Sequence, residues 1–374
     1  MSRRPVWAEI DLGAVTHNAS VMAALVAPAE LCAVVKAFAY GHGPVRVAEA
    51  ALAGGATSLA VATVEEGVQL RQAGITEPVL LLSEPPVPAM GDVVSWHLTP
   101  TLYTGEGIDA AAKAVATHGG SGPLVVHIKI DTGMHRVGAT VDEAIALAVA
   151  ADRMPELELG GLCTHFAVAD EPGNDFTSAQ IERFDGVVAR LASLGVQASL
   201  LHACNSAGAL TQPRARYDLV RCGLAIYGLA PSPALADRCA DLRPALALKA
   251  RVSFVKPVAA GERISYGLTY RFERDAFVAT VPIGYADGVP RRLSDNGGQV
   301  LVGGRRRAIA GTVTMDQLTV DCGDDASVKP GDEVVLLGAQ GGEAIDAWEW
   351  ATRLGTIAYE VTCGIGARVP RVYV

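Results

Sequence analysis

The chain has 374 residues, is 50% hydrophobic and carries a formal net charge of −9. That length can bury a large core, and two domains are the default expectation. The acidic balance argues against nucleic acid and anionic membrane as partners. The one cationic block, Arg305-Arg306-Arg307, is flanked by Gly and reads as a solvated loop. The seven cysteines are odd in number, widely spaced and without a C-x-x-C pair, which points to a reduced, cytoplasmic protein. Met1-Ser-Arg-Arg4 is basic, but no apolar stretch follows, so a secretory signal is not expected. No run reaches the ~18 uninterrupted apolar residues of a membrane span.

The first 230 or so residues alternate short apolar runs with amphipathic stretches. In chain order the runs are Leu31 to Lys36, Ser58 to Ala62, Val79 to Ser83, Asp92 to Leu98, Leu124 to Ile130, Leu157 to His165, Ala198 to Ala203 and Asp218 to Arg221. Continuous apolar runs of this length suit strands buried on both faces, as in a parallel sheet. Helical stretches lie between them, such as Val64 to Ala73, Val141 to Ala151 and Thr177 to Leu194. In the last, Ile181, Phe184, Val187, Val188 and Leu191 form one stripe. Eight β/α units in this length predict a TIM barrel. An open doubly wound sheet would call for an early G-x-G-x-x-G loop, and Gly41-His-Gly43-Pro-Val-Arg46 lacks the third Gly.

Beyond residue 240 or so the pattern changes. Leu246 to Val255, Phe277 to Ile283, Gln299 to Val302, Ala308 to Val313, Leu318 to Val320 and Glu333 to Leu337 read as strands, with one helix at Ile345 to Leu354. The expectation is a barrel domain over 1–238 and a smaller, mostly β domain over 239–374, joined near the Pro-containing stretch that begins at Ala230.

Active-site groups of such barrels sit at the C-terminal strand ends. Here those ends carry Lys36, Lys129 with Asp131, His165, His202 with Asn205, and Arg221. Loops begin there in any case, so one polar residue carries little weight; five strands in agreement carry more. Lys36 closes an apolar run, and burial would lower its pKa, as an imine-forming amine requires. Taken alone, it reads more readily as a lysine snorkelling to water. Lys129 shares a strand face with His127 and Asp131. An inward Lys129 needs a partner; Asp131 is one candidate, and Arg136 brings a second cation that calls for an anion between them. The bland alternative is an outward-pointing Lys129. Asn205-Ser-Ala-Gly208 and Cys222-Gly-Leu224 supply the small residues of a phosphate site, or of two ordinary turns. Tyr266, in a turn of the β domain, would need a nearby cation to act as a base. No metal-binding motif occurs.

Taken in order, Ala33-Val-Val-Lys-Ala-Phe-Ala-Tyr-Gly-His-Gly43, Lys129 to Arg136, Thr164-His-Phe-Ala, His202-Ala-Cys-Asn-Ser206, Val220-Arg-Cys-Gly223, Ser265-Tyr-Gly267, Ile283 to Gly288, Met315-Asp-Gln317 and Tyr359-Glu-Val361 resemble alanine racemases. These are pyridoxal 5′-phosphate enzymes of the fold-III class. The resemblance covers nearly the whole chain. It implies that Lys36 carries the cofactor and is one catalytic base. Tyr266 is the opposite base, reaching the partner's active site in a head-to-tail homodimer. It further implies that Tyr40, Asn205, Ser206, Gly223, Leu224 and Tyr359 hold the cofactor, mostly at its phosphate. His165 lies by the pyridine ring, and Arg221 bonds its nitrogen. Arg136 and Met315 contact the substrate carboxylate, and Lys129 stands where the family often carries a carbamylated lysine.

The implied activity is interconversion of L- and D-alanine, supplying D-alanine for peptidoglycan. A related serine or broad-specificity racemase is the alternative. A non-catalytic carrier barrel would lack Tyr266 and Met315, and a decarboxylase is disfavoured by Met315-Asp-Gln317. Two positions depart from the family pattern. Phe38 stands where Asn or Asp is usual, and Thr312 stands where many members have Arg, which alters the electrostatics of the substrate's access route.

Overall fold

The structure is a computed structural model that describes residues 4–119 and 122–374. Met1, Ser2 and Arg3 of the basic N-terminal tetrapeptide lie outside the described residues. The chain forms two compact units. One comprises Ala14–Ala39 and Pro44–Arg243; the other comprises the described residues of Met1–Gly13 with Tyr40–Gly43 and Pro244–Val374.

The chain opens on β1 (Val6–Ile10), a strand of the second unit. The first unit is built on β2 (Glu30–Val34), β3 (Ser58–Val61), β4 (Val79–Leu81), β5 (Thr99–Leu102), β6 (Leu124–Lys129), β7 (Leu157–Cys163), β8 (Leu200–His202) and β9 (Leu219–Cys222). Each pairs in parallel with its sequence neighbour from β2 to β8, and β9 pairs with β2. The Asp218 N–H donates to Leu201 O and the Arg221 N–H to Cys204 O, both at 3.0 Å. These bonds bring β8 and β9 together, so the sheet forms the expected (β/α)8 barrel. The apolar runs are buried on both faces, as in β2 (Leu31 to Val34) and β4.

One predicted strand is corrected. Asp92 to Leu98 is mostly a helix, Met90–Ser95, and the fourth barrel strand is the following Thr99–Leu102. Met90, Val93 and Val94 fall at i, i+3 and i+4 and are buried together, so the helical period prevails over the β-branched composition. Pro100, which has no N–H to give to a sheet, weakens the strand signal of Thr99–Leu102.

The second unit is mostly β, with β10 (Leu246–Arg251), β11 (Phe254–Val258), β12 (Arg263–Ile264), β13 (Tyr270–Arg271), β14 (Ala276–Val281), β15 (Gln299–Val302), β16 (Arg305–Ala308), β17 (Leu318–Asp321), β18 (Glu333–Gln340), β19 (Glu343–Ile345) and β20 (Arg371–Tyr373). The larger sheet runs β16-β15-β18-β10-β1-β20, with β19 added to β18. A second sheet runs β11-β14-β17, and β12 and β13 form a hairpin. The predicted single strand Leu246 to Val255 is thus two. The strand placed at Ala308 to Val313 lies three residues earlier, on the arginine block. That block is no solvated loop: Arg306 pairs with Glu343 at 2.9 Å and Glu349 at 3.0 Å, and buried Arg307 pairs with Asp325. The expected helix is Ala347–Leu354, and a further one, Ala358–Cys363, follows it.

The segment after β2 is unusual. Ala37, Phe38, Ala39 and Tyr40 all adopt left-handed backbone, at φ 53°, 56°, 52° and 52°. L-residues rarely do so in succession. Glu66 helps to hold the turn. It forms a capping box with Thr63 at the start of helix Val64–Gln72, and its Oε1 accepts the Ala37 N–H at 2.6 Å. Gly41 follows at φ 88°, and a Cβ there would lie 2.2 Å from Thr362 O.

Phe38 is 48% exposed, and Asn tolerates this backbone better. Phe38→Asn is expected to raise the unfolding free energy by about 1 kcal/mol. A denaturant titration checks this; an unchanged or lower midpoint at constant slope would show that the turn stores no such strain.

Candidate active site

The barrel gathers its polar groups at the carboxyl ends of its strands, around Arg221 on β9. Arg221 is 5% exposed. One terminal nitrogen donates to His202 Nδ1 at 2.7 Å and His202 O at 3.1 Å. The other reaches Thr164 O at 2.8 Å, Ala203 O at 3.1 Å and His165 Nδ1 at 3.3 Å. The remaining donor, Nε–H, makes no hydrogen bond among the described residues. The guanidinium thus ties the ends of β7 and β8 to β9.

A guanidinium only donates, so both imidazoles accept at Nδ1 and are neutral, with the proton on Nε2. His202 Nε2–H then donates to His127 Nδ1 at 2.8 Å, which puts the His127 proton on Nε2 as well. The electrostatics agree. Burial first, then Arg221, holds the His127 pKa down at about 4. His165 and His202 are also pushed well below the ordinary histidine value, by burial and then by Arg221. Gly161 makes room for the His127 ring, since a Cβ there would lie 2.6 Å from Nδ1.

Lys129 is buried and points inward; its Nζ donates to Leu82 O at 3.3 Å. The outward alternative is thereby overturned. Burial foremost, then the nearby cations Arg221, Arg136 and Lys36, lower its pKa, with Cys163 opposing. Asp131 is not its partner. The Asp131 carboxylate accepts the Gly133 N–H at 2.9 Å and the His135 N–H at 3.1 Å, and lies 3.2 Å from the His135 ring. It shapes its own loop. Among the described residues neither Lys129 nor Arg221 makes an ion pair. Lys129, Asp131, Met134, Arg136, Thr164 and His165 line one small cavity. Lys36 is half-buried at the end of β2 and lies within electrostatic reach of Lys129 and His165.

The second predicted cluster also forms. Asn205 caps helix Ser206–Thr211 by accepting the Gly208 N–H at 2.9 Å. Ser206 Oγ accepts the Gly223 N–H at 3.0 Å and the Ala225 N–H at 3.4 Å, and Leu224 is buried beside them. In the β-rich unit the rings of Tyr40 and Tyr359 meet, with centroids 6.0 Å apart. Tyr266 lies in a short 3-10 turn and is 71% exposed; Met315 is 52% exposed on a separate loop.

Gln180 was missed. It is fully buried, accepts the Ala167 N–H at 2.9 Å, and donates to His165 O and Thr132 Oγ1, each at 3.0 Å. Thr132 and Thr164 share a hydroxyl bond of 2.7 Å beside it. The signal was present in the sequence, because Gln180 lies on the buried stripe with Phe184 and Val187 and is polar.

The fold and this cluster define a (β/α)8-barrel enzyme with a carboxylate-poor, cationic centre and an appended β unit. Family models agree with that class and make it specific. The alanine racemase N-terminal domain model matches residues 10–231, and the C-terminal domain model matches 245–373. An alanine racemase of Symbiobacterium thermophilum is 47% identical over 370 residues, covering 99% of this chain and 97% of that one. The solved alanine racemase of Streptomyces lavendulae superposes with a TM-score of 0.94 at 39% identity, covering 100% of this chain and 98% of that one. The Bacillus anthracis alanine racemase with bound L-Ala-P gives a TM-score of 0.93 at 39% identity, covering 100% and 96%. The chain belongs to the alanine racemase family, isomerases acting on amino acids.

The three histidines tie stability to pH. Their folded pKa values lie below the ordinary 6.5, so in mild acid the unfolded chain binds protons that the folded one refuses. Unfolding free energy should therefore fall as pH drops from about 6.5 towards 4, by a few kcal/mol. NMR titration of the His127 ring should show a midpoint near 4. A midpoint near 6.5 would mean that burial and Arg221 together do not hold His127 neutral.

Proposed function

We propose that this chain interconverts L- and D-alanine with pyridoxal 5′-phosphate held on Lys36. The observation that carries this reading is the barrel's group of cations at its strand ends, in which Lys129 and Arg221 have no acidic partner among the described residues. Such a centre fits an anionic cofactor and a carboxylate substrate. The spare Nε–H of Arg221 fits the cofactor's ring nitrogen, and His165, neutral and adjacent, fits the ring itself. Asn205, Ser206, Gly223 and Leu224 fit its phosphate, with small residues and backbone N–H groups at a helix start. The family pattern adds Tyr40 and Tyr359 to the phosphate. The relatives' names favour alanine over serine or a broader set.

When bound, the cofactor delocalises the electron pair left at the α-carbon. The protein's own groups do the rest. Lys36 removes or returns the α-proton on one face, and Tyr266 of the partner subunit, in a head-to-tail homodimer, does so on the other. Arg221 cannot readily surrender a proton, so it leaves the ring nitrogen unprotonated, which restrains transamination. Arg136 and Met315 hold the substrate carboxylate. Lys129, its pKa lowered, is a candidate for carbamylation: its neutral amine adds carbon dioxide and loses a proton, giving an anion between the cations. The product would serve peptidoglycan synthesis in the cytoplasm.

Incubation with L-alanine in deuterated water should give α-deuterated alanine of both configurations. A bound-cofactor absorbance band without α-proton exchange would reject catalysis. Lys36→Ala should lose that band and racemise at least ~10²-fold more slowly. Tyr266→Phe should keep the band and lose inversion, while one enantiomer still exchanges its α-proton with retention. Equal residual exchange from both enantiomers would reject the two-base assignment.

A further inference from the structure

Tyr266 sits at the tip of the β12–β13 hairpin and is 71% exposed within its own chain, so few side chains of that chain direct it. Within the chain its placement rests on its backbone, and that backbone is strained. Ser265 has φ 66° and ψ −177°, a region almost reserved for Gly, and Leu268 has φ 50°. Such residues persist where their surroundings over-determine them.

The surroundings here are largely one residue. Ser265 Oγ donates to Thr312 O at 2.6 Å, and Thr312 Oγ1 donates to Tyr266 O at 3.0 Å. Thr312 is 5% exposed, so both bonds are shielded from water. The two loops meet backbone to backbone. Gly311, at φ 75°, has no room for a Cβ, which would lie 2.7 Å from Ile264 O. The other bonds of the tip, Leu268 N–H to Ser265 O at 3.1 Å and Arg263 to Leu268 O at 2.8 Å, do not engage the Tyr266 peptide.

We infer that Thr312 is a positioning residue, whose hydroxyl and carbonyl clamp Ser265 and Tyr266 and thereby aim the Tyr266 phenol. The inference rests on the reading of Tyr266 as a base. It gives the short hydroxyl at 312 a task specific to this chain, at a position where the family pattern often carries Arg.

The test uses the full-length, cofactor-loaded enzyme with L- or D-alanine in deuterated water. α-Deuteration with and without inversion is read by NMR and chiral separation. Thr312→Val keeps the shape and deletes the hydroxyl. It should slow racemisation about tenfold, mainly in kcat. It should also raise exchange with retention for the same enantiomer that Tyr266→Phe singles out. Thr312→Ser should restore the wild-type pattern. If Thr312→Val does not accumulate as folded protein, Ser265→Ala, which removes the other arm, carries the same expectation. A loss of exchange equal for both enantiomers, or no rescue by Ser, overturns the clamp while leaving Tyr266 as base, provided Tyr266→Phe is asymmetric. If Tyr266→Phe is itself symmetric, the base assignment falls and the clamp falls with it.

Discussion

The barrel's polar centre depends on one buried guanidinium. Arg221 spends four donors on three carbonyl oxygens and two ring nitrogens, and none on a carboxylate. Burying a cation is costly unless its donors are satisfied, and here neutral acceptors satisfy them. Two consequences follow without further assumption. The imidazoles that accept from it stay neutral. The positive charge is not cancelled, so it adds to burial, the larger cause, in lowering the proton affinity of Lys129 and His165 nearby. An acid in place of the histidines would remove both effects.

This account also separates the roles of the surrounding polar residues. Gln180 and the Thr132–Thr164 pair neutralise nothing; they fix the loop that carries His165. Asp131 is consumed by its own turn. The carboxylate nearest in sequence to Lys129 is thus structurally occupied, and the cationic character of the site is built in.

Most of the fold was legible because the barrel strands are apolar on both faces, a pattern that survives without tertiary information. The exceptions have local causes. Met90, Val93 and Val94 are β-branched or apolar in a run short enough to fit a strand, and only their spacing distinguishes a helix. Arg306 and Arg307 look solvated until their acidic partners arrive from 325, 343 and 349, further along the chain. Helix Ala358–Cys363 spans six residues, too few for a period to emerge. At the site, the basic strand ends were readable, but Lys129's direction was not, since parity says which residues share a face and not which face is buried. Asp131 was misassigned because proximity in sequence favoured an ion pair over an Asx-type turn.

The two units position chemistry by opposite means. In the barrel, groups are buried, and their tautomers and charges follow from fixed hydrogen bonds; the sequence shows such residues as polar interruptions of apolar strands. In the β-rich unit, Tyr266 is exposed and gains direction from a strained turn held by two hydroxyl bonds. No hydrophobic pattern marks such a residue. Its legibility came from the Ser265-Tyr-Gly267 motif alone, and the Gly is the physical part of that motif, at φ 78°. The same contrast applies at Phe38, where a left-handed backbone carries a bulky side chain and one supporting bond comes from Glu66, 29 residues further along the chain than Ala37, whose N–H it accepts. Strain beside a proposed cofactor lysine and strain beneath a proposed base are each sustained by a side chain from another segment. In both places the residues that make the geometry possible are not the ones that the chemistry would name.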